Sequence, residues 1–401
     1  MSLTQLIAST PIDTFLYGLP RKNPVIARFS SRVPYATEMI RMDLEYQIPG
    51  RGTILVPRRG DLLSSIFLQI KMKRSTTNGT QFFPVENLVN RVRMYIGGQL
   101  VEHFTNDYIR IHNALFTDNT QKDSIITMEE FESSDSDGMI RSLWMNLPFW
   151  FNKLSFAIPL IALQYHEVRF EFEFTDVANI PGVDPSFIPQ ITAWGEYVFL
   201  PAEERVSFVS KPHEYIIEQT QTQDFNAYIS TKTSLTTSYT LPFNLPVKYL
   251  LFVFRNENVF GIYSGDTSVG LSANDKNTPL LSSKLQLNGI DRMEEQIGSY
   301  FRLVEPYRTM LRSPPAGIYS YFFSSQPQNV HAPSGTLNFS ALDTVKLVVK
   351  TKVASAATSA DVKDEETCTV ATANLSIFTV IARSMNVLRV ENGQGGILFA
   401  N

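Results

Sequence analysis

The sequence is poor in features that stabilise or anchor a chain from outside its hydrophobic core. It has one cysteine, Cys368, among 401 residues, so no intrachain disulfide can form, which is typical of a reducing compartment. Its longest apolar runs, such as "FAIPLIAL" at 156–163, fall well short of the roughly 20 residues that a membrane-spanning helix needs. Residues 1–20 lack the basic start and the long apolar segment of a signal peptide. We therefore expect a soluble chain that is made in the cytoplasm.

Motifs for catalysis, cofactors and metals are also missing. No G-x-G-x-x-G or Walker motif occurs, since "NGQGG" is followed by Leu398 where a third glycine belongs. The histidines never come closer than nine residues, so the sequence has no H-x-H or H-E-x-x-H metal site. These histidines are His103, His112, His166, His213 and His331. We therefore predict no catalytic residue, no cofactor-binding residue and no metal ligand, and we expect a protein that is not an enzyme.

Two short segments of the sequence resemble ligand-binding motifs, one for calcium and one for integrins. The acidic run "MEEFESSDSDG" at 128–138 fails as an EF-hand loop, because counting from Ser133 places Trp144 where the bidentate glutamate belongs. The string Arg59-Gly60-Asp61 resembles an integrin-binding sequence, but it leads directly into the alternating strand "SIFLQIKMK". We predict a solvated acidic loop at the first string and a turn before a strand at the second.

Three N-x-S/T sequons occur, at Asn78, Asn338 and Asn374. Asn78, in "TTNGTQ", is predicted to lie at an exposed loop tip, whereas Asn374 precedes a buried strand and is a poor acceptor. Asn78 is therefore the one candidate for glycosylation, although a chain without a signal peptide does not meet the conventional pathway.

The composition indicates a globular protein rich in strands. Hydrophobic residues make up 43% of the chain and charged residues 18%, and the 28 phenylalanines favour strands over helices. The net charge of −4 gives no sign of a nucleic-acid-binding surface. A chain of this length exceeds what one hydrophobic core usually serves, so we expect two domains of roughly 200 residues each.

Strand patterns occur along nearly the whole chain. "EVRFEFEF" alternates apolar and charged residues, as a strand with one buried face does; its predicted core residues are Val168, Phe170, Phe172 and Phe174. "KYLLFVF" at 248–254 and "LSIFTVIA" at 375–382 are continuous apolar runs, which predict strands buried on both faces. Helical periodicity appears only around "NDYIRIHNALF" and "MEEQIGSYFRLVEPY".

One phrase of the sequence occurs twice. "VRMYIGGQLVEHFTNDYIRI" begins at Val92, and "KLQLNGIDRMEEQIGSYFRL" begins at Lys284. Without a gap the two phrases match at four identical positions: Gly97 with Gly289, Glu102 with Glu294, Tyr108 with Tyr300 and Arg110 with Arg302. Chance is the plain alternative, but duplication of a whole β-sandwich explains the match better than a solenoid, whose repeats are about 20–50 residues long. The jelly roll is one frequent form of such a sandwich.

Several long motifs carry a resemblance to a known family. The stretch at 287–347, with "PSGTLNFSALD" as its most specific part, resembles the second domain of the double jelly-roll major capsid proteins of nucleocytoplasmic large DNA viruses. "RRGDLLSSIFLQI" and "LPFWFNKLSFAIPLIALQYHEVRFEFEF" resemble parts of the family's first domain, in the same order along the chain. "LIASTPIDTFLYGLP" is similar to its N-terminal arm and "NVLRVENGQGGILFAN" to its C-terminus.

The resemblance implies an all-β fold of two tandem eight-stranded jelly-roll sandwiches with short helical excursions in loops. The implied division is an arm at 1–25, a first jelly roll at 26–205 and a second at 206–401. The implied function is a structural major capsid protein, forming homotrimeric pseudo-hexagonal capsomers that tile an icosahedral shell. The implied partners are neighbouring capsomers and minor capsid proteins near an inner viral membrane, without direct contact to nucleic acid and without a cofactor.

Alternatives stay open at this point. A minor capsid or penton-associated paralog of the same fold is one, because some positions differ from the family pattern, such as Ala341 after "NFS". A carbohydrate-binding jelly-roll module is a second, since exposed aromatic residues in loops could stack on sugars. An enzyme of the cupin or glycosidase type is a third. Native mass, glycan binding and metal content would distinguish them.

Overall fold

A computed structural model describes most of the chain. The described residues are 33–75, 84–117, 119–129, 131, 136–180, 182–227, 233–256, 279–309, 314, 317–329, 333–355, 367–369 and 376–399. Residues Ala36–Asn401 form one compact unit, and every element below belongs to it. The predicted arm at 1–25 and the candidate glycosylation site Asn78 lie outside the described residues.

The first half of the unit is a β-sandwich. Its two sheets have the strand orders β1-β9-β4-β7 and β2-β3-β8-β5-β6, and all the pairs are antiparallel. The strands are β1 (Ala36–Met42), β2 (Leu44–Tyr46), β3 (Gly50–Leu55), β4 (Leu62–Lys73), β5 (Val89–Ile96), β6 (Gln99–Thr105), β7 (Ile140–Asn146), β8 (Val168–Phe174) and β9 (Gln190–Phe199).

The second half is another sandwich. Its sheets follow the orders β10-β21-β12-β16 and β11-β18-β13-β14, with β17 and β22 added to the first sheet and β15 to the second. The strands are β10 (His213–Ala227), β11 (Leu235–Thr240), β12 (Pro246–Asn256), β13 (Leu280–Leu287), β14 (Ile290–Asp291), β15 (Gln296–Ile297), β16 (Ile318–Phe322), β17 (Leu337–Asn338), β18 (Val345–Thr351), β19 (Val353–Ser355), β20 (Thr367–Thr369), β21 (Ser376–Glu391) and β22 (Gln394–Ile397). Strands β19 and β20 pair with each other in parallel.

Both sandwiches have the same topology. If the eight main strands of each half are counted along the chain, one sheet has the order 1-8-3-6 and the other 2-7-4-5. The short strand β2 is an addition in the first half, as β15, β17, β22 and the separate pair β19–β20 are in the second. This shared order is that of a jelly roll. The prediction of two tandem eight-stranded jelly rolls is confirmed.

Helices are few and short. The α-helices are α1 (Pro84–Leu88), α2 (Asn106–Phe116), α3 (Asn119–Glu129), α4 (Ala202–Ser210) and α5 (Glu305–Thr309). A π-helical stretch at Tyr300–Val304 precedes α5, and 3₁₀ turns lie at Leu154–Phe156, Val177–Asn179 and Phe339–Ala341. The two predicted helical segments are confirmed, because α2 covers "NDYIRIHNALF" and the π-helical stretch with α5 covers the end of the second phrase. Helices α1, α3 and α4 were not predicted.

The acidic run at 128–138 is only partly a loop. Its first residues, Met128 and Glu129, belong to α3. Glu129 is buried, and its Oε2 accepts a hydrogen bond of 3.3 Å from Asn113 Nδ2. The prediction of a solvated loop was therefore wrong for the start of this run. Instead, the end of α3 is buried there, and the carboxylate of Glu129 is hydrogen-bonded to Asn113.

The buried faces agree with the strand patterns. Val168, Phe170, Phe172 and Phe174 of β8 are all buried in the first core. The continuous apolar run of β12 is divided between two cores: Leu250 and Phe252 pack in the second sandwich, while Tyr249 and Leu251 join the core cluster of the first. The sheet β10-β21-β12-β16 is thus covered on both faces, once by its own sandwich and once by the neighbouring one.

The repeated phrase is a β-hairpin followed by a helical segment in each half. The β5–β6 turn consists of Gly97 and Gly98, and the β13–β14 turn of Asn288 and Gly289. Positive φ at both turn positions, from +48° to +83°, explains why glycine and asparagine occupy them. Because the turns coincide, Gly289 corresponds to Gly98, and the ungapped match of Gly289 with Gly97 was wrong by one residue.

The two helical segments return to the original spacing. The second half has one more residue than the first between its hairpin turn and its helical segment, so α2 begins at Asn106 and the second segment begins at Gly298, 192 residues later. Tyr108 and Tyr300 are consequently the third residues of their helical segments. Their equivalence, predicted from the sequence, agrees with the structure.

Candidate functional site

The most extensive polar contact between the two sandwiches lies at the repeated element of the first half. Strand β6 meets β10 of the second sandwich, where Gln219 Nε2 donates a hydrogen bond of 2.6 Å to the carbonyl oxygen of Val101. The backbone N–H of Thr220 donates to Glu102 Oε1 at 2.9 Å. Glu102 is therefore fixed in contact with the second sandwich by a backbone group as well as by side chains.

Arg383 of β21 is the centre of a buried ionic cluster at this junction. Its Nη1 lies 3.1 Å from Glu102 Oε2, and its Nε lies 3.2 Å from Glu218 Oε2. Its guanidinium carbon lies 5.3 Å from the centre of the Tyr108 ring. Lys248 Nζ binds the other oxygen of Glu218 and also donates to the carbonyl oxygen of Pro327 at 2.7 Å. Two carboxylates and two cations thus balance each other inside the protein.

Burial and charge shift the pKa values of this cluster in different directions. Burial raises the pKa of Glu102 to about 7, although Arg383 and hydrogen bonds from Thr220 act against the rise. Burial also acts to raise the pKa of Glu218, but Arg383 and Lys248 outweigh it and keep that pKa below its usual value. Near neutral pH the cluster therefore holds one firmly ionised carboxylate, Glu218, and one close to its own titration, Glu102.

A second ionic contact joins the halves through Arg255 of β12. Its Nη1 lies 3.1 Å from Asp107 Oδ2 in α2, and its Nη2 lies 3.1 Å from Asp224 Oδ2 in β10. Burial raises the pKa of Asp107, and the charge of Arg255 acts to lower it. At the other end of α2, the rings of Phe116 and Tyr249 meet with centroids 5.3 Å apart. The junction therefore combines polar and aromatic contacts from one helix.

The hairpin β21–β22 closes the other end of the junction. The backbone N–H of Tyr165 donates to the carbonyl oxygen of Gly393 at 2.9 Å, and His166 Nδ1 lies 2.8 Å from the carbonyl oxygen of Gly395. A Cβ atom on Gly395 would lie 2.6 Å from Leu163. The glycines of "NGQGG" thus permit close packing of the chain end against the first sandwich. His166 contributes to this contact.

A cavity of about 690 Å³ opens at the junction. Its wall includes Tyr108, His112, Phe116, Tyr249, Glu218 and Arg383. Burial lowers the pKa of His112 to about 4, so its ring is neutral at physiological pH. Glu218 and Arg383 bind each other, so these charged groups of the wall are already engaged in holding the sandwiches together.

The Arg59-Gly60-Asp61 string lies at a turn before β4, as predicted. Asp61 is buried, and its Oδ2 accepts hydrogen bonds from the backbone N–H of Leu200 at 2.7 Å and from Arg205 Nε at 2.9 Å. A Cβ atom on Gly60 would lie 2.8 Å from Tyr197. The aspartate therefore anchors the start of α4, the helix between the two sandwiches, and its carboxylate is not presented to a receptor.

The described residues offer no metal centre and no membrane helix. Among them, no group of three or more His, Cys, Asp or Glu side chains is arranged to hold a metal ion. Within the same residues no helix is long and apolar enough to cross a membrane. The absence of catalytic, cofactor-binding and metal-binding residues remains a prediction, and His331 lies outside the described residues.

Sequence reasoning missed most of the ionic cluster. Glu102 was noted only as an identity in the repeated phrase, and Glu218, Lys248 and Arg383 were not singled out. A signal was present, because Lys248 and Arg383 interrupt or flank apolar runs of strands that are buried on both faces. A cation in such a strand needs a buried carboxylate as partner.

Two family models together match nearly the whole described part of the chain. The model described as "Major capsid protein N-terminus" matches residues 31–201. The model described as "Large eukaryotic DNA virus major capsid protein" matches residues 204–396. The two matches meet at α4, between the two sandwiches.

Individual relatives agree with these models. The chain is 33% identical to the major capsid protein of Paramecium bursaria Chlorella virus 1, covering 100% of this chain and 99% of the relative. It is 29% identical to that of Pyramimonas orientalis virus, with the same coverage. The PBCV-1 capsid protein VP54 superposes with a TM-score of 0.88 at 30% identity, covering 94% of this chain and 100% of that one. The Faustovirus major capsid protein shares the fold, with a TM-score of 0.71 at 10% identity and coverage of 97% and 96%. This chain belongs to the family of major capsid proteins of large eukaryotic DNA viruses.

Proposed function

We propose that this protein forms homotrimeric, pseudo-hexagonal capsomers that tile an icosahedral virus shell. Its role as a structural capsid protein of the virion follows from its membership in the family. The observation that carries the proposal is the presence of two sandwiches with one topology, joined through a buried ionic junction. One chain then supplies two similar blocks and three chains supply six, so a threefold operator produces a nearly hexagonal unit.

The division of the chain is part of this proposal. We propose an arm at 1–25, a first jelly roll at 26–205 and a second at 206–401. Two observations support the boundary near residue 205. Helix α4 lies there with no residue buried in a core, and the two family models meet there.

We further propose that the arm faces minor capsid proteins and an inner membrane, and that the chain is made in the host cytoplasm. Full-length relatives named major capsid protein favour the major role over a minor or penton-associated one. We also propose that the protein has no enzymatic activity. In support, the ionisable groups gathered at the junction bind one another and hold the two sandwiches together.

Native mass and electron microscopy of the purified protein test the proposed function. We expect a particle with the mass of three 45.3 kDa chains and a nearly hexagonal outline. Particles from infected cells should contain the same unit across their faces. A protein that stays monomeric at all concentrations, or that occurs only at the vertices of the particle, would contradict a major capsomer.

A further inference from the structure

The repeated element has different surroundings in the two halves. In the first half, β6 and α2 are covered by the second sandwich, as described above. In the second half, the corresponding element consists of β14, β15 and the helical segment at 298–309, here named the second edge. Its apolar side chains are exposed within one chain: Ile290 by 76%, Ile297 by 56%, Val304 by 43% and Tyr307 by 84%.

One sheet face is uncovered in a matching way. The outer face of β10-β21-β12-β16 is covered by the first sandwich. The outer face of β1-β9-β4-β7, here named the first face, is not covered by a sandwich in the described part of the chain, and at one end its Leu62 and Val198 pack with Ala157, Leu200 and Phe208. It presents Met39, exposed by 42%, and the half-buried Trp144 and Trp194, whose ring centroids lie 6.1 Å apart. Trp194 Nε1 is held by Gln69 Oε1 at 3.2 Å. An ordered aromatic surface of this kind is typical of an interface.

A shared irregularity aligns the two sheets residue by residue. In each half the third main strand has one extra residue in its pairing with the last strand, at Ser64 in β4 and at Lys248 in β12. The next pair along the ladder is Ser65 with Glu196 in the first half and Tyr249 with Arg383 in the second. Glu196 therefore occupies the position on the first face that corresponds to the position of Arg383 at the junction.

The hairpins align the two edges in the same way. Met94 and Leu285 each lie two residues before the last residue of the strand that precedes the turn. Met94 pairs with Glu102, whereas the position opposite Leu285 is Arg292, whose backbone N–H donates to the Leu285 carbonyl oxygen at 2.8 Å. Arg292 is exposed. At this pair the second edge therefore carries an arginine where the first edge carries the glutamate that binds Arg383, so the ungapped match of Glu102 with Glu294 was wrong here.

We propose that the second edge of one chain docks on the first face of a second copy, with Arg292 opposite Glu196. The contact repeats the junction within a chain, with the two charges exchanged. Glu102 of β6 and Arg383 of β21 make the internal pair, and Arg292 and Glu196 make the external one. The proposal rests on the trimer proposed above and names the surfaces that hold it together.

The exchange of charges has a consequence for assembly. If the first edge of one chain approached the first face of another, Glu102 would meet Glu196, and two like charges would oppose the contact. The second edge is attracted to that face instead. Internal and external contacts then alternate around the ring, which is the arrangement a closed head-to-tail assembly requires.

A charge-swap experiment tests this contact. The variants Glu196→Arg and Arg292→Glu are compared with the double variant and with the wild type by native mass over a range of concentrations. We expect each single variant to weaken the trimer by at least about tenfold, because it places like charges together in the contact. We expect the double variant to recover most of the loss. Thermal melts of each protein show whether the sandwiches remain folded.

An apolar pair of variants supplies a second readout. Ile290→Asp should weaken the trimer, whereas Ile188→Asp, at 74% exposure in the loop before β9, should leave it unchanged. Single charge variants that assemble like the wild type, or a double variant no better than either single one, would overturn the proposed contact while leaving the trimer in place. A wild-type protein that never forms trimers would instead contradict the proposed function itself.

Discussion

Arg383 and Glu102, 281 residues apart in the chain, form a buried ion pair in which Arg383 Nη1 lies 3.1 and 3.2 Å from the two carboxylate oxygens. Arg383 is 2% exposed and Glu102 1%. Because Arg383 also binds Glu218, it neutralises two carboxylates from different sandwiches. The pair therefore joins the two jelly rolls by a contact that neither could satisfy alone.

Replacing Arg383 should destabilise the protein strongly. Arg383→Met leaves Glu102 without its cation and Glu218 with Lys248 alone, and removal of one partner of a buried pair costs about 3–5 kcal/mol. Chemical denaturation measures the difference. Arg389→Met is the matched control, since Arg389 lies in the same strand with a half-exposed side chain bound to Glu391. Its loss should cost under about 1 kcal/mol. Equal losses in the two variants would contradict a special role for Arg383.

Glu102 should make the free energy of unfolding depend on pH. Its pKa is about 7 in the folded protein against 4.5 for the ordinary group. Between these values the folded state binds more protons than the unfolded state, so this group's contribution to stability is full below about pH 4.5 and is lost as the pH rises towards 7. The steepest slope for one proton is about 1.4 kcal/mol per pH unit.

The variant Glu102→Gln isolates this contribution. Glu218 contributes with the opposite sign because its folded pKa is lowered, and it is present in both proteins. The free energy of unfolding, measured between pH 4.5 and 7, should therefore fall more steeply with rising pH for the wild type than for the variant. Parallel pH profiles would show that Glu102 titrates in the folded protein as it does in the unfolded one.

The alternating strand β8 provides a test of the core. Phe172 is fully buried, so Phe172→Ala should cost about 3–5 kcal/mol. Its neighbour Glu171 is half-buried and binds Arg169 at 3.1 Å on the outer side, so Glu171→Ala should cost under about 1 kcal/mol. Urea unfolding of the two variants compares them directly. Similar midpoints would show that the two faces of the strand had been assigned wrongly.

The strands could be predicted because the side chains of a strand point alternately to its two faces, and each face is either buried in a core or exposed to solvent. The alternation in "EVRFEFEF" reports one buried face, and the unbroken run in "KYLLFVF" reports a sheet buried between two cores. Helix α4 could not be predicted in this way, since none of its residues is buried and no apolar stripe results. The spacing of apolar residues in the sequence arises from burial, so an exposed helix such as α4 shows no regular spacing.

The ionic cluster and the turn register depended on pairing that a sequence does not contain. Glu102 and Arg383 meet only because β6 of the first sandwich lies against β10 of the second, which pairs with β21. The register error at Gly97 has a local cause: β6 has one extra residue in its pairing with β5, and the second half has two at the same place. A comparison without gaps cannot represent such insertions, so it misaligns the residues next to them.

The N-terminal arm, outside the described residues, carries an assembly prediction from the sequence. Residues 1–25 are too apolar for a solvated tail and have no clear period. Deleting residues 1–20 should leave both sandwiches folded and the trimer largely intact, while shell assembly fails. A thermal melt and native mass of the truncated protein are compared with particle yield in infected cells. Loss of the fold would assign the arm to the core, and a normal yield of particles would show that it is dispensable.

Two adjacent glycines in β22 offer the sharpest test of how the chain end packs on the first sandwich. A Cβ atom on Gly395 would lie 2.6 Å from Leu163 and 3.2 Å from Ile96, whereas one on Gly396 would meet only Gln99 Oε1 at 3.5 Å. Gly395→Ala should therefore cost about 1–3 kcal/mol through overpacking, and Gly396→Ala should stay within about 0.5 kcal/mol of the wild type. Both changes reduce the freedom of the unfolded chain alike, so the difference in the free energy of unfolding reports the packing alone. If the two variants unfold at the same denaturant concentration, the hairpin β21–β22 does not pack against Leu163 in solution.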